Sequence, residues 1–250
     1  MTDAARSTER FGDRACAYAA HRPSYPSAAV EVVLAELGDR RELVIADVGA
    51  GTGISARLFA DSGATVVAVE PNAAMRAAAE PHPRVTWHGG TAQETGLADA
   101  SAHVVVACQA FHWFATPAAM RELARIARYR VAMLQYERDE RDAFTKDYGD
   151  VVRAYARDDT EAMRAAALEV FATFPNARVT RTEFPFRQRL SLADLLGRAA
   201  SASYLPRDGA AFESLQRDLE GSFRRHQRVG HVELAMVTYV LIANLNRTRA

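Results

Sequence analysis

The chain has 250 residues, 49% hydrophobic and 25% charged, and its 31 basic and 31 acidic side chains leave a formal net charge of zero. That composition excludes a disordered or fibrous chain, the zero charge gives no electrostatic footprint for nucleic acid, and no apolar run of about 18 residues predicts a membrane span. The polar start carries no secretory h-region, Cys16 and Cys108 lack metal or redox spacing, which suits a reducing cytoplasm, and a basic set that is all arginine apart from Lys146 suits GC-rich bacterial codon usage.

Pro26 opens a helical pattern, with Val30, Val33, Leu34 and Leu37 on one face and Gly38 as its stop. Residues 43–48 form a short apolar run suited to a buried parallel strand. Residues 52–62 predict a helix ending at Gly63, residues 65–70 a second strand, and Asn72 the cap of a helix over 73–80. Residues 84–88 and 103–107 read as the third and fourth strands. Thr116 and Pro117 supply a cap and a first-turn proline for a helix through Ala127, and 130–136 is the fifth strand. Such alternation predicts an open, mainly parallel α/β sheet with helices on both faces. Beyond Tyr136 the rhythm changes. Residues 138–173 are polar and helical in composition, 179–190 reads as a strand, 191–202 and 209–227 as helices, and 232–243 as a last long strand. The whole chain, 1–250, is expected to be one domain. Its parts are an N-terminal lid segment over 1–26, a binding core over 27–136, helical cap elements over 137–177 and 190–230, and last sheet strands over 178–190 and 231–245.

The first strand runs into Asp47-Val-Gly49-Ala50-Gly51-Thr-Gly53 and then a helix. Glycines let the backbone turn and approach a ligand with no Cβ in the way. A helix N-terminus offers N–H groups and the positive end of a dipole. Glu70, closing the second strand, is placed to accept both hydroxyls of a ribose. Together these features predict a nucleoside-containing ligand; the alternative is a plain tight turn with Glu70 in solvent. The NAD pattern G-x-G-x-x-G needs a glycine where Ile54 stands, and no Lys-Ser/Thr of a P-loop follows. The spacing Asp-x-Gly-x-Gly-x-Gly resembles the first motif of class I S-adenosylmethionine-dependent methyltransferases. That resemblance implies a Rossmann-like α/β fold with a seven-stranded sheet and S-adenosylmethionine as cofactor. It also implies that Asp47, Gly49, Ala50, Gly51 and Gly53 receive the methionine end, and that Glu70, with Pro71 beside it, holds the ribose. Asn72 and Met75 would flank the adenine, Thr91, Ala92 and Gln93 close over it, and Gln109 and Ala110 face the sulfonium.

Two further stretches carry the resemblance. Tyr18-x-x-x-Arg22-Pro-x-Tyr25-Pro26 near the start and His112-Trp113-Phe114 after the fourth strand resemble the small-molecule methyltransferases grouped with trans-aconitate methyltransferase. The likeness is specific over 10–136, weaker over 178–243 and poor over 138–173. The Leu-x-Pro-Gly-Gly usual before the fifth strand is replaced by Ile126-Ala-Arg-Tyr-Arg130, so that turn must be built differently. The resemblance implies methyl transfer to an O, N or C atom of a small organic molecule, carboxylate-bearing ones included.

Methyl transfer from a sulfonium is an in-line displacement in which a positive charge disappears. Alignment contributes most, since well-oriented reactants reach effective molarities of about 10⁵–10⁸ M, and exclusion of water favours the charge-dispersed transition state. Residues 1–26 are therefore expected to act as a lid. Tyr18 would contact the cofactor carboxylate or the face of the sulfonium, Arg22 offers a planar fork for a carboxylate, and Tyr25 faces the acceptor; the bland alternative is that Tyr18 and Arg22 only pin the segment. His112 would be a general base worth about 10²–10⁴ in rate, a hydrogen-bond partner for the acceptor, or structural. Trp113 packs beneath the site or touches the acceptor, and Tyr204 and Arg207 reach the acceptor pocket. The other histidines show no metal spacing, so no metal is expected. The expected partner is a small-molecule methyl acceptor, with no nucleic acid or membrane, and the enzyme is a monomer or homodimer. The alternatives are a tRNA or protein methyltransferase, a non-catalytic S-adenosylmethionine-binding protein, and a nicotinamide oxidoreductase.

Overall fold

The computed structural model describes residues 25–245. Its apolar runs form strands β1 Val44–Val48, β2 Thr65–Val69, β3 Val85–His88, β4 Ala102–Cys108, β5 Ala127–Arg138, β6 Ala177–Leu190 and β7 Val232–Leu245. They pair into one seven-stranded sheet of order β3-β2-β1-β4-β5-β7-β6. The first five strands run parallel, and β7 lies antiparallel between β5 and β6. The helices are α1 Ser27–Leu34, α2 Ile54–Asp61, α3 Ala73–Ala77, α4 Pro117–Ile126, α5 Ala143–Tyr155, α6 Thr160–Ala172, α7 Leu192–Ser201 and α8 Gly209–His226.

Parallel strands need both faces covered, which is why β1 and β4 read as continuous apolar runs. One face packs Ile45, Val104, Val106 and Leu134 under α1, α2, α5, α7 and α8, and the other packs Ala46, Val105, Val131 and Met133 under α4 and α6. Phe59, Phe171, Leu195 and Leu215 are fully buried in these layers; each such side chain contributes about 1.5–3 kcal/mol. The sheet order reverses between β1 and β4, so a crevice opens at their carboxyl ends, where α/β sheets of this kind bind ligands.

Several boundaries differ from expectation for local reasons. Helix α1 stops at Leu34, because Glu36 and Gly38 take left-handed backbone angles (φ 63° and 88°). Helix α3 ends at Ala77, short of residue 80. The polar stretch 138–173 resolves into α5 and α6, capped by the side chains of Asp142 and Asp159. The Ile126–Arg130 substitution has a concrete outcome: no turn is made at all. Ala127 already has extended angles (φ −78°, ψ 135°), so the chain passes from α4 straight into β5. The pairing then jumps from Ala102↔Ala127 to Val104↔Arg130, and the extra residue is absorbed as a bulge. Arg130 is fixed there by donating Nη1–H to the Val33 carbonyl (3.1 Å).

Candidate active site

The loop after β1 is pressed between two neighbours. Gly49 has φ 75°, and a Cβ on it would stand 2.7 Å from Ala110 Cβ and 3.1 Å from Phe114 Cε1. Gly53, at φ 79°, faces Trp87, whose Cζ2 would be 2.9 Å from an added Cβ. Only glycine satisfies both conditions, positive φ and close approach. Four amides of this loop are bonded within the protein. Gly49 and Ala50 donate to the Val69 carbonyl (2.8 and 3.2 Å), Gly51 to Glu70 Oε2 (3.0 Å) and Gly53 to the Ala50 carbonyl (2.9 Å). The first three of these N–H groups weld the loop to the tip of β2, and Gly49, Gly51 and Gly53 leave its backbone largely bare of side chains.

Glu70 is the centre of this weld. Its Oε1 accepts from Asn72 N–H (2.9 Å) while Oε2 holds Gly51, so each oxygen keeps lone-pair capacity for another donor. Burial raises its pKa, and the two backbone donors oppose the rise. Arg76 donates Nη1–H to the carbonyls of Glu70 (2.5 Å) and Pro71 (3.0 Å), fixing the strand end. Asn72 Oδ1 caps α3 by accepting from Ala74 and Met75, which seats Met75 against Gly51. At the end of β1 Asp47 is fully buried; its Oδ2 accepts from Ser55 Oγ–H (2.6 Å) and its Oδ1 has no hydrogen-bond partner. Burial pushes this carboxyl up to about 7.

The stretch expected to close over the adenine is a tight turn, with Thr91 and Glu94 bonded backbone to backbone (3.0 and 3.2 Å). Ala92 is buried, whereas Thr91 and Gln93 are exposed. An anchor that the sequence reading missed holds this turn. Buried Thr95 donates its N–H (2.9 Å) and hydroxyl (2.5 Å) to Glu122 Oε1 on α4, and Arg125 grips Glu122 Oε2 (2.7 Å) and the Leu97 carbonyl (2.8 Å). Arg125, with Thr95, holds the Glu122 carboxyl down to about 2. In sequence Glu122 and Arg125 look like an ordinary surface pair at i,i+3.

At the tip of β4, Gln109 takes φ 51° and bridges two strands, its backbone N–H to the Leu134 carbonyl (2.8 Å) and its Nε2–H to the Tyr136 carbonyl (2.9 Å). Ala110 lies against Gly49. Phe111 is fully buried and meets Phe114 and Phe171 edge-on (5.7 and 5.2 Å between centroids), so the short 3₁₀ turn Phe111–Trp113 is nailed to the core. That turn carries His112, also buried, with its ring 4.7 Å from that of Trp113. Tyr25 is buried, its ring 5.9 Å from the Tyr136 ring at the end of β5. The glycine loop, Glu70, Pro71, Met75, Gln109, Ala110, His112 and Trp113 therefore gather at the carboxyl ends of the central strands. Tyr18 and Arg22 lie outside the described residues.

Two adjoining cavities open beside Arg138 and Tyr204. The outer one, about 460 Å³, is lined by Arg138, Val152, Asp158, Glu161, Arg164 and Tyr204. The inner one, about 20 Å³, shares Arg138, Arg164 and Tyr204 and adds Tyr136, Tyr148 and Arg198. Tyr204 lines both cavities, whereas Arg207 stands half exposed beside Asp208 (3.8 Å) and lines neither. Sequence reading missed Arg138, Tyr148, Arg164 and Arg198. A signal existed: Arg198 shares the buried face of α7 with Leu195 and Ala199, a place where packing alone calls for an apolar residue. Among the described residues no group of histidine, cysteine or carboxylate side chains could hold a metal, and no helix is long and apolar enough to cross a membrane.

Comparison with known proteins agrees with this geometry. Residues 46–131 match the family model for the methyltransferase domain. An uncharacterized methyltransferase of Mycobacterium tuberculosis is 34% identical over 201 residues, covering 78% of this chain and 76% of that protein. An uncharacterized methyltransferase-like protein of Schizosaccharomyces pombe is 26% identical over 182 residues, 71% of each chain. Among solved structures, a protein described as a type II methyltransferase from Anaeromyxobacter dehalogenans superposes with a TM-score of 0.66 at 24% identity, over 90% of this chain and 98% of that one. The last likeness bears on the fold alone.

Proposed function

The chain belongs to the class I S-adenosylmethionine-dependent methyltransferases, and on that premise we propose that it methylates a small organic molecule at an O, N or C atom. The enzyme's cofactor, S-adenosylmethionine, supplies the methyl group from a positively charged sulfur. The residues present fit it. Gly49, Gly51 and Gly53 put no Cβ in the way of a close ligand, and Glu70 keeps acceptor capacity for two hydroxyls. Asp47 has a buried oxygen that no protein donor satisfies. In this reading Asp47, Gly49, Ala50, Gly51 and Gly53 hold the amino-acid end, Glu70 and Pro71 the sugar, and Met75, Thr91, Ala92 and Gln93 the base. Gln109 and Ala110 form the floor where the methyl leaves. Tyr18, Arg22 and Tyr25 cover the entrance.

The chain's part in the chemistry is to align and to exclude water. Gln109 ties the tips of β4 and β5 together, so the donor side and the acceptor side are held at one spacing. His112, fixed by its buried phenylalanine neighbours, takes the proton of an acceptor that is protonated at neutral pH; a carboxylate acceptor needs no base. The observation that carries the small-molecule reading is the outer cavity beside Arg138 and Tyr204, about 460 Å³, within the range of about 300–1,000 Å³ that small-ligand pockets occupy. The zero net charge supports it against a tRNA substrate. We place the enzyme in the cytoplasm, as a monomer or homodimer. The test is methyl-labelled cofactor incubated with small metabolites, tRNA or peptides. Label in the metabolite fraction alone is expected; label only in tRNA or peptide overturns the reading. Cofactor affinity without any turnover leaves a binding protein.

A further inference from the structure

Charge in the inner cavity, which Glu137 also lines, is unevenly paired. Three arginines line it, and two are offset within the protein. Arg138 pairs with Glu161 (2.7 Å) and Glu140 (3.2 Å), and Arg164 Nε lies 3.0 Å from Glu137 Oε1. Arg198 is buried as deeply, at 9% exposure, yet its partners are neutral: Nη1–H donates to Gln188 Oε1 (2.9 Å), and the Tyr148 phenol lies beside it. A guanidinium has five N–H donors and cannot shed its charge. Burying such a cation without an anion is costly, and proteins arrange it where an anion arrives with a ligand. Three separate elements converge on the spot: α7 supplies Arg198, α5 supplies Tyr148 and β6 supplies Gln188. Burial keeps the Tyr148 hydroxyl protonated, so it too can donate.

We propose that Arg198 anchors a carboxylate-type group of the methyl acceptor, with Tyr148 as second donor, so that the substrate is an organic acid whose carboxylate enters the inner cavity while its reacting atom faces the tip of β4. The word acceptor rests on the methyl-transfer reading above; anion binding at Arg198 does not. Tyr136 connects the two, since it lines the inner cavity and its carbonyl is held by Gln109 at the end of β4. The anchor sets which molecules are accepted and leaves the acceptor atom free.

The test uses matched probes of nearly equal shape, benzoate with benzamide, phenylacetate with phenylacetamide and succinate with succinamide. Each is titrated by calorimetry into the full chain, with and without S-adenosylhomocysteine. At least one carboxylate is expected to bind about tenfold or more tightly than its amide. Arg198→Met abolishes that preference while S-adenosylhomocysteine affinity stays at the wild-type value. Should Arg198→Met fail to fold, Gln188→Glu places the missing carboxylate beside Arg198 in nearly the same volume, and carboxylate binding is lost with the fold intact. The proposal is overturned if no carboxylate binds, if acid and amide bind alike, or if Gln188→Glu keeps wild-type carboxylate affinity. Carboxylate binding without any S-adenosylhomocysteine binding would sink the methyl-transfer reading and leave the acid site standing.

Discussion

Replacing Gly49 by alanine tests the geometry of the donor loop directly. Two costs add. The residue sits at φ 75°, where a Cβ costs about 1–2 kcal/mol. The new methyl also arrives 2.7 Å from Ala110 Cβ and 3.1 Å from Phe114 Cε1; neither can swing aside, because Ala110 is short and Phe114 is wedged on Phe111. Overpacking of this kind costs about 1–3 kcal/mol, so the total is about 2–5 kcal/mol. Gly38→Ala is the control: its φ is 88° and nothing lies within 4 Å of the added atom, so it bears the backbone cost alone, about 1–2 kcal/mol. Urea unfolding of both variants gives the difference. Calorimetry with S-adenosylhomocysteine should show Gly49→Ala weakened and Gly38→Ala unchanged. Equal destabilisation of the two variants would refute the claim that the loop is clamped against the tip of β4.

Three other variants probe the site. Glu70→Ala should weaken S-adenosylhomocysteine by about 1–3 kcal/mol in calorimetry through lost hydrogen bonds to buried hydroxyls; unchanged affinity removes Glu70 from the sugar. His112→Ala should lower kcat by about 10²–10⁴ for an acceptor that must lose a proton, with cofactor affinity kept; a rate and an acceptor KM both at wild-type values would make the ring purely structural. Glu122 is held at about 2 against an ordinary 4.5 by Arg125 and Thr95, so its ionised form favours the fold. The stability it contributes is whole above pH 4.5 and fades as the pH falls from there toward 2. Glu122→Gln should be less stable at neutral pH and show a flatter stability profile through that window; parallel profiles would mean that the Thr95–Glu122–Arg125 anchor contributes nothing.

The placement of the glycine loop and Glu70 at the strand ends was legible because its determinants are local. A strand, a glycine loop and a capped helix follow one another between residues 44 and 77, so spacing alone locates Gly49, Gly51, Glu70 and Met75. What spacing could not reveal is how the loop amides are spent. Parallel pairing of β1 with β2 brings the Val69 carbonyl and the Glu70 carboxylate within reach and consumes the amides of Gly49, Ala50 and Gly51. The Thr95–Glu122 contact spans 27 residues, and Gln109 reaches Tyr136 across another 27, separations at which no short motif reports. The missing glycine turn before β5 shows the same limit: its replacement is a bulge, a property of pairing with β4 rather than of residues 126–130.

The acceptor side depends on charges brought together from distant segments, and there the informative signal was a violation of pattern. Leu195 and Ala199 mark the buried face of α7, and Arg198 interrupts it; Ala167 and Phe171 mark that of α6, and Arg164 interrupts it. A cation on an apolar stripe needs an anion at the other end. For Arg164 that anion is Glu137, at the tip of β5. For Arg198 the described residues provide only an amide and a phenol, and this inequality between two otherwise similar arginines is what sets the proposed ligand position apart from a structural ion pair. It also explains how one side of the crevice can change while the other stays constant. The donor loop is locked by backbone bonds that any change of side chain at Tyr148, Gln188 or Arg198 leaves untouched, so acceptor choice can be rewritten on α5, β6 and α7 without disturbing the cofactor's seat.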